Sequence, residues 1–332
     1  MRFVIYGAGA IGGTIGARLH LAGEEVVLIA RGAHLDAIRE RGLRFRTPGG
    51  EHLLRIPAAE RPADVDWRPG DVVLLCMKTQ DTAAALADLE RRAGPDIPVV
   101  CAQNGVENER LAARRFRRVY GMLVALPATH LEPGVVTASG APLSGCLHAG
   151  RFPAGVDDTI RAVCRALDGA GFRSDAVPDV MALKYRKLLL NLGNGVDVLL
   201  GGSSWGAGGA VGRFLERLRA EGEAAFRAAG ISAVSPDEYR ERVTAHYRSV
   251  PVAGEQRSGS STLQSVLRGH TVTEVDYLNG EIVMLGMLHG VPTPANRIVR
   301  ELAARVAAEG RGPGHLTIDE LERLAGAPQY LQ

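Results

Sequence analysis

The feature that most constrains the fold is the start of the chain, MRFVIYGAGAIGG, in which an apolar run leads directly into closely spaced glycines. A short, continuously apolar run is typical of a strand buried on both faces of a parallel sheet. Gly7, Gly9 and Gly12 follow it with the spacing GxGxxG and open a segment of helical pattern. We therefore predict a strand, a tight turn and a helix packed closely on that strand.

This glycine loop predicts binding of a dinucleotide. Gly7 permits the tight turn, Gly9 lets the backbone approach a pyrophosphate, and Gly12 allows close packing of helix on strand. Ala10 and Ile11 lie at the helix N-terminus, where backbone N–H groups favour phosphate. GxGxxG alone is a weak signal, but a preceding strand and a following helix are the context that supports it.

The rest of the first half alternates strand and helix patterns. Four further apolar runs read as strands: EEVVLIAR, DVVLLCMK, IPVVCAQNG and RVYGMLVAL. Residues 130–150 read as an antiparallel extension or a loop-rich edge. Beyond about Pro178 only helical patterns remain. The predicted fold class is α/β, with an N-terminal Rossmann-type doubly wound parallel sheet over residues 1–177 and an all-α C-terminal domain over 178–332. We expect ligands to bind in a cleft between the two domains.

Composition excludes several classes of protein. The net charge of +2 gives no strong field for nucleic acid or membrane, and no apolar stretch reaches the length of about 18 residues that a membrane span needs. The N-terminus lacks the pattern of a secretory signal. The four cysteines are widely spaced without a CxxC, which argues against a metal site or a disulfide framework. We expect a cytoplasmic protein without a metal.

The residue after the second strand selects between cofactors. NAD sites usually carry Asp or Glu there, whereas this chain has Arg31, in LIAR. A guanidinium can pair with a 2′-phosphate, so NADP(H) is favoured. Lys78, after the third strand, is a second positive charge near the expected position of that phosphate.

A polar stripe interrupts the leucine-rich segment KYRKLLLNLGN. At about 100° per residue, Lys187, Asn191 and Asn194 fall within roughly 60° of one another on a helix. The opposite face is apolar: Leu188, Leu192, Val196 and Leu199. Lys184 falls on a nearby face, and we expect it to face solvent and to tolerate replacement. Since burial of unpaired polar groups costs several kcal/mol, the stripe needs solvent, ionic partners or a ligand.

The stripe suits the reduction of a ketone. Such a reduction needs a hydride donor at the carbonyl carbon and an acid near the oxygen. Nicotinamide supplies the hydride, and Lys187 is the candidate acid. Asn191, one turn further on, can orient the substrate or the ammonium.

At these residues the chain resembles the ketopantoate reductase (2-dehydropantoate 2-reductase) family over nearly its whole length. The resemblance is carried by GAGAIG, LIAR, QNG at 103–105, KYRKLLLN at 184–191, SSTLQ at 260–264 and TEVDYLNGEI at 273–282. Each piece alone is modest, whereas their order and spacing together are specific.

The resemblance implies roles for the matching positions. Lys187 would be the general acid, and Asn104 would lie beside the nicotinamide and the substrate. Asn191 would bind substrate, Ser261 would bind the substrate carboxylate, and Glu274 would face the lysine and the substrate.

The residue pattern agrees on Glu274. An apolar seam marks a helix there: Val275, Leu278, Ile282 and Leu285. Thr273 can cap this helix, with Asp276 three residues later, so Glu274 falls in its first turn.

The chain departs from the family pattern at positions that, as the resemblance implies, would contact the far end of the substrate. Gly195 stands where many members carry an amide, and the adjacent Asn194 can substitute for it. Ser258 stands where an Asn is often found, and one extra residue separates Gln264 from Glu274. A glycine at 195 is expected to open space beside the stripe and to relax the preference among 2-keto acids.

The predicted function is NADPH-dependent reduction of a 2-keto acid, with conversion of 2-dehydropantoate to pantoate, a step of pantothenate biosynthesis, as the first choice. Two alternatives stay open: an NADP-dependent β-hydroxyacid dehydrogenase, and a non-catalytic NADP(H)-sensing protein. The expected partner is a small-molecule substrate, without nucleic acid or membrane. A homodimer is one of the assemblies that the sequence leaves open.

Overall fold

The computed structural model describes residues 1–252 and 259–327, which form two compact units. Within those residues, the first unit comprises 1–184 and 235–252, and the second comprises 185–234 and 259–327. Ser258 lies outside the described residues, so the expectation attached to it has no structural counterpart.

The helices and strands follow one another along the chain in four stretches. Residues 1–184 contain β1 (Arg2–Tyr6), α1 (Ala10–Leu21), β2 (Glu25–Ile29), α2 (Gly32–Arg41), β3 (Leu43–Thr47), β4 (Gly50–Leu54), β5 (Ala58–Ala59), β6 (Asp71–Leu75), α3 (Thr79–Ala93), β7 (Val99–Cys101), α4 (Glu107–Ala113), β8 (Val119–Met122), β9 (Ala128–Thr129), β10 (Val135–Ala138), β11 (Gly140–Pro142), β12 (Ala149–Arg151), α5 (Asp158–Gly169) and the start of α6 (Val180–Asn191). The stretch to 234 adds α7 (Asn194–Leu200) and α8 (Gly209–Ala228), and the stretch to 252 adds α9 (Pro236–Arg242) and β13 (Tyr247–Ser249). The last stretch holds α10 (Ser261–Leu267), α11 (Asn279–His289), α12 (Pro294–Ala308) and α13 (Ile318–Ala325).

A seven-stranded sheet forms the centre of the first unit. Its strand order is β12-β8-β7-β6-β1-β2-β5, parallel throughout except for β12, which runs antiparallel to β8. The five apolar runs of the sequence are β1, β2, β6, β7 and β8. Of the segment 130–150, predicted as an antiparallel extension or a loop-rich edge, only Ala149 and Gly150 lie in this sheet, in β12, whereas β10 and β11 belong to smaller sheets. Because β1 pairs with β2 on one side and β6 on the other, the strand order reverses direction at β1.

Apolar side chains cover both faces of this sheet. Phe3 and Ile5 of β1 pack on one face in a cluster that includes Ile15 of α1. Val4, which points to the opposite face, packs in a separate cluster with Leu86 and Leu89 of α3. The strands are therefore buried on both sides, which explains their continuous apolar runs and confirms the doubly wound architecture.

Two smaller sheets complete the first unit. One has the order β4-β3-β10-β9, and the other pairs β11 with β13. Strands β3 and β4 have no counterpart among the predicted strands. Buried positions alternate with more exposed ones in β3, and β4 is exposed except at Leu54, so neither strand has the apolar run that marks the central strands.

The second unit is helical, as predicted. The apolar face of the leucine-rich segment is buried at Leu188, Leu192, Val196 and Leu199. The predicted continuous helix is interrupted, because α6 ends at Asn191 and α7 begins at Asn194. Gly193, between them, lies against the second unit's own core: a Cβ there would be 3.0 Å from Leu215 Cδ2.

The helix predicted from Glu274 also begins differently. Glu274–Tyr277 is a 3₁₀ turn, and α11 begins at Asn279. The Thr273 side chain makes no capping hydrogen bond, so the predicted cap is wrong. The seam Val275, Leu278, Ile282 and Leu285 is buried as predicted.

The first unit includes a late part of the sequence, residues 235–252. Strand β13 pairs with β11, and the guanidinium of Arg242 donates two hydrogen bonds to Asp179, at 2.8 and 3.0 Å. Because of these contacts the segment belongs to the first unit, and each unit is therefore built from two separate segments of the chain. The domain boundary at 177/178 stays a prediction. No helix within the described ranges is both long and apolar enough to cross a membrane.

Candidate active site

The three glycines of the first loop occupy three different environments. Gly7 has a positive φ of 101°, and a Cβ there would lie 2.8 Å from Met77 N. A Cβ at Gly12 would lie 2.1 Å from the Gly7 carbonyl oxygen and 2.9 Å from Cys76 Cβ. Gly9 is different, because no atom lies within 4 Å of the position of its Cβ. Gly7 thus serves the turn and Gly12 the packing of α1 on the sheet, whereas Gly9 leaves open space at the N-terminus of α1.

Ala10 and Ile11 form the first turn of α1, and both are half-buried. Ala8, two residues before this helix, is held by a residue that the sequence did not reveal. His34 Nε2 lies 2.8 Å from the Ala8 carbonyl oxygen, and His34 Nδ1 accepts a hydrogen bond from Gly134 N–H at 2.9 Å. The ring is therefore neutral, with its proton on Nε2. Burial, together with the neighbouring His130, lowers the pKa of His34 to about 4.

Arg31 and Lys78 follow the two strands that flank β1. Arg31 is the N-cap residue of α2 and Lys78 that of α3. The Arg31 side chain is 76% exposed, and its nearest anionic partner is Asp81, with Nη2 and Oδ1 3.9 Å apart. An exposed guanidinium beside one distant carboxylate is available to another anion, although Asp81 competes for it.

Asn104 follows β7, the neighbour of β6. The predicted cofactor residues thus lie at the carboxyl ends of four adjacent strands: Arg31 after β2, the glycine loop after β1, Lys78 after β6 and Asn104 after β7. That edge, beside the point where the strand order reverses, is where open α/β sheets bind ligands. The structure thus brings the predicted cofactor residues to one edge of the sheet.

The side-chain oxygen of Asn104 is buried and has no hydrogen-bond partner among the described residues. Its main chain, in contrast, is held: Asn108 Nδ2 donates to the Asn104 carbonyl oxygen at 3.1 Å and to Thr79 Oγ1 at 3.2 Å. Gln103 Nε2 donates to Met77 O and to Thr82 Oγ1, each at 2.8 Å. A turn fixed in this way, with one unpaired acceptor, suits a ligand that carries a donor.

Lys184 contradicts its prediction. It is buried, not solvent-facing, and its Nζ lies 2.7 Å from Glu109 Oε1. It also donates to the carbonyl oxygens of Gln103, at 2.8 Å, and of Met122, at 3.2 Å. The helical face was assigned from neighbours in sequence, whereas the burial is decided by Glu109, on a distant element. The expectation that Lys184 faces solvent is therefore wrong, and its burial with Glu109 removes the reason to expect that it tolerates replacement.

The polar stripe lies in the second unit. Lys187 and Asn191 are half-buried on α6, and Asn194 is half-buried at the start of α7. The stripe thus continues across the break between the helices. It is neither dry nor fully solvated.

Gly195 does not open space, which corrects the expectation from sequence. A Cβ at this position would lie 2.5 Å from Val299 Cγ1 and 3.4 Å from Asn279 Oδ1. Helix α12 fills the volume that a side chain would take.

The other predicted substrate residues lie close to this point. Ser261 is the first residue of α10, and the preceding Ser260 is the N-cap, accepting a hydrogen bond from Leu263 N–H. Ser260 Oγ donates to the Asn194 carbonyl oxygen at 3.4 Å. Glu274 is buried in its 3₁₀ turn, and the adjoining Val275 lies beside Gly195.

Asp197 is a further residue that the sequence did not single out. It is buried and accepts hydrogen bonds from Ser204 N–H at 2.7 Å, Ser204 Oγ at 2.6 Å and Ser260 N–H at 3.1 Å. Its contact with Ser260 anchors the N-cap of α10, next to Ser261. The signal was an acidic residue inside the apolar run VDVLL.

Within residues 1–252 and 259–327, no three His, Cys, Asp or Glu side chains come close enough together to hold a metal ion. A Rossmann-type sheet with a glycine loop, followed by helices that present a lysine, a glutamate and amides, is the arrangement of a nicotinamide-dependent oxidoreductase.

Comparison with known proteins identifies the family. Residues 3–153 match the model of ketopantoate reductase PanE/ApbA, and residues 179–307 match the model of its C-terminal region. The chain belongs to the ketopantoate reductase family. It is thus an oxidoreductase of the class that acts on CH–OH groups.

Individual relatives agree over nearly the full length. The chain is 29% identical to 2-dehydropantoate 2-reductase of Archaeoglobus fulgidus, over 92% of this chain and 97% of that one. It is 28% identical to the Halobacterium salinarum protein of the same name, over 93% of this chain and all of that one.

Solved structures show the same fold. A PanE/ApbA family ketopantoate reductase from Ralstonia eutropha superimposes with a TM-score of 0.79 at 27% identity, over 93% of this chain and 99% of that one. A D-mandelate dehydrogenase in complex with NADH and anilino(oxo)acetate superimposes with a TM-score of 0.80 at 24% identity, with the same coverage of the two chains.

The packing of Gly195 can be tested by stability. Gly195→Ala should lower the free energy of unfolding by about 1–3 kcal/mol, because the methyl group meets Val299 in a packed core. Gly195→Ala/Val299→Ala should be better tolerated than the sum of the two single changes. Chemical denaturation monitored by circular dichroism measures both.

Gly202→Ala is the matched control, since nothing lies within 4 Å of its Cβ position. A Gly195→Ala protein as stable as wild type would show that the space is open after all and would restore the enlarged site.

Proposed function

We propose that this protein reduces a 2-keto acid with NADPH, with the conversion of 2-dehydropantoate to pantoate, in pantothenate biosynthesis, as its reaction. The observation that carries the proposal is that the family match extends over both units. At the positions where the resemblance implies chemistry, the chain retains Lys187, Asn191, Asn104 and Glu274.

The residues present fit a nicotinamide dinucleotide. The open space at Gly9, at the N-terminus of α1, suits a pyrophosphate, and the exposed Arg31 suits a 2′-phosphate. The buried Asn104 oxygen without a partner suits a donor from the nicotinamide end or from the substrate. When bound, the cofactor supplies the hydride that reduces the carbonyl carbon.

The remaining chemistry falls to side chains of this chain. Lys187 donates a proton from Nζ to the carbonyl oxygen, on which negative charge develops as the carbon is reduced. Glu274 orients that ammonium and the substrate. Asn191 and Asn194 donate amide hydrogen bonds to polar groups of the substrate, and Ser261 binds its carboxylate.

The test of this function is turnover of purified protein on a panel of 2-keto acids. NADPH oxidation at 340 nm would be followed with ketopantoate, 2-ketoisovalerate and a larger aryl keto acid. Because Gly195 is packed, we expect ketopantoate to be preferred in kcat/KM over both. The distal hydroxyl of ketopantoate, which 2-ketoisovalerate lacks, can make two additional hydrogen bonds, and these justify a preference of up to about 10²-fold over that acid.

Other outcomes point to other functions. Oxidation of β-hydroxyacids with NADP, without reduction of 2-keto acids, would move the protein to the β-hydroxyacid dehydrogenases. Tight NADPH binding without turnover of either class of substrate would indicate a sensor. Preference for the aryl acid would reject ketopantoate as the substrate.

Arg31 is expected to select the cofactor. The wild-type protein should prefer NADPH to NADH by at least about tenfold in kcat/KM, because a charge-assisted phosphate contact contributes about 1.5–3 kcal/mol. Arg31→Ala should raise KM for NADPH and leave KM for NADH nearly unchanged. Steady-state kinetics with both cofactors measure this.

Asp81→Asn is the matched variant on the opposite side of the Arg31 contact. Removal of the competing carboxylate should lower KM for NADPH, by no more than about fivefold because exposed ion pairs are weak. Equal use of NADPH and NADH by the wild type would contradict the assignment of Arg31.

Lys187 is expected to be the acid. Lys187→Ala should lower kcat by about 10²–10⁴-fold, the usual contribution of general acid–base catalysis, while Kd for NADPH stays close to the wild-type value. Small primary amines added to this variant should restore part of the rate, since they return an ammonium to the vacated space. A kcat within about threefold of wild type, or a loss that no amine restores, would argue against the proton-donor role.

A further inference from the structure

The buried ammonium of Lys184 has a complete set of partners. An ammonium has three N–H donors, and three acceptors surround this one: the Glu109 carboxylate and the carbonyl oxygens of Gln103 and Met122. Only 2% of the Lys184 side chain and none of the Glu109 side chain is exposed. Burial raises the pKa of the Glu109 carboxyl, and Lys184 offsets part of that rise.

The two carbonyl groups mark a particular place in the sheet. Gln103 follows β7, and Met122 is the last residue of β8, so Lys184 joins the carboxyl ends of two adjacent parallel strands. Gln103 immediately precedes Asn104. The ammonium therefore fixes the main chain of the Asn104 turn at one end.

Glu109 fixes the same turn from the other end. It lies on α4, next to Asn108, whose amide donates to the Asn104 carbonyl oxygen. Through the ion pair, Lys184 holds α4 and the end of β7 against each other, with Asn104 between them.

Stability alone is a poor reason for such a pair. Desolvation of two charges offsets most of their attraction, and replacement of a buried ion pair by apolar residues is often neutral or stabilising. A pair that contributes little to stability but fixes two segments in one register is better explained by what it positions.

The choice of lysine supports this reading. Of the 39 Lys and Arg residues in the chain, only Lys78, Lys184 and Lys187 are lysines. Arginine would bring five N–H groups in a planar fork to a place that offers three acceptors, whereas an ammonium is a compact point charge. A chain that uses arginine almost everywhere else has lysine where a guanidinium does not fit.

We propose that the Lys184–Glu109 pair is a positioning element for Asn104, and that it sets the geometry of the nicotinamide end of the bound cofactor without touching it. The proposal rests on the proposed function, because it takes Asn104 as a residue of the reductase site. It adds a role to two residues that lie outside the chemistry itself.

The decisive variant is Lys184→Met/Glu109→Leu, which replaces the pair by apolar side chains of similar length. We expect it to fold, because neither charge is left unpaired, with a melting temperature somewhat below that of wild type, because the carbonyl oxygens of Gln103 and Met122 lose a donor. Its kcat for the keto acid should nevertheless fall at least about tenfold, since misplacement of a positioning group disturbs the reacting geometry. Lys184→Met alone leaves a buried carboxylate unpaired and should melt at a much lower temperature.

Ligand binding separates positioning from general damage. Kd would be measured by calorimetry for NADPH and for 2′,5′-ADP, which lacks the nicotinamide half; ADP takes its place if NADH is the preferred cofactor. The double variant should bind the nucleotide half as wild type does and the full cofactor more weakly. Hydrogen–deuterium exchange of the peptide 102–109 should be faster, while the glycine loop is unchanged.

Glu109→Gln keeps the size of the side chain and an oxygen acceptor for Lys184, and decides the matter if the double variant does not fold. Its hydrogen–deuterium exchange at 102–109 should be faster than that of wild type. Its ratio of Kd for NADPH to Kd for 2′,5′-ADP should be higher than that of wild type. Both changes should be smaller than those expected for the double variant. A folded double variant, or failing that a folded Glu109→Gln protein, with wild-type exchange, kcat and Kd ratio would overturn the proposal. If the wild-type protein reduces no keto acid, the proposed function fails, while the binding and exchange measurements still decide the positioning role.

Discussion

The close contact of α1 with the central strand β1 is the constraint on which the rest of the first unit depends. A single methyl group at Gly12 would lie 2.8 Å from Ile5 Cγ2 on β1 and 2.1 Å from the Gly7 carbonyl oxygen in the turn, so a side chain at this position would not fit between the helix and the strand. Since β2 and β6 pair with β1 on either side, the loops that follow them are placed relative to this contact. His34 adds to the constraint by binding the Ala8 carbonyl oxygen, which lies between the two glycines of the turn.

Most of the fold could be predicted because local pattern determines it. Continuous apolar runs mark strands buried on both faces, and the glycine spacing marks the turn after the first of them. The errors lie where a distant residue decides. Lys184 was assigned to solvent from its helical neighbours, but Glu109 and two carbonyl groups, far away in sequence, bury it. The hairpin of β3 and β4 was missed since its solvated face leaves no apolar run.

The predicted site shows the same division. Periodicity placed Lys187 and Asn191 on one face of α6, since that depends only on helical geometry. It did not reveal that Gly195 is a packing residue, because the partner, Val299, lies on α12. Nor did it single out Asp197, whose acceptor role depends on two loops that follow it in the chain. The glycine at position 195 thus reflects close helix packing, not an enlarged pocket.

The scarcity of lysine has a chemical consequence. Reagents that modify primary amines, such as formaldehyde with a mild reductant, have few targets in a chain with three lysines. Because Lys184 is enclosed by protein, its amine is shielded, and the side-chain amines within reach are those of the half-buried Lys78 and Lys187. Carbon-13 methyl groups introduced in this way would give two side-chain NMR signals, one beside the glycine-loop edge of the sheet and one on the polar stripe. The composition of the chain thereby provides spectroscopic labels at the residues of greatest interest, without a single substitution.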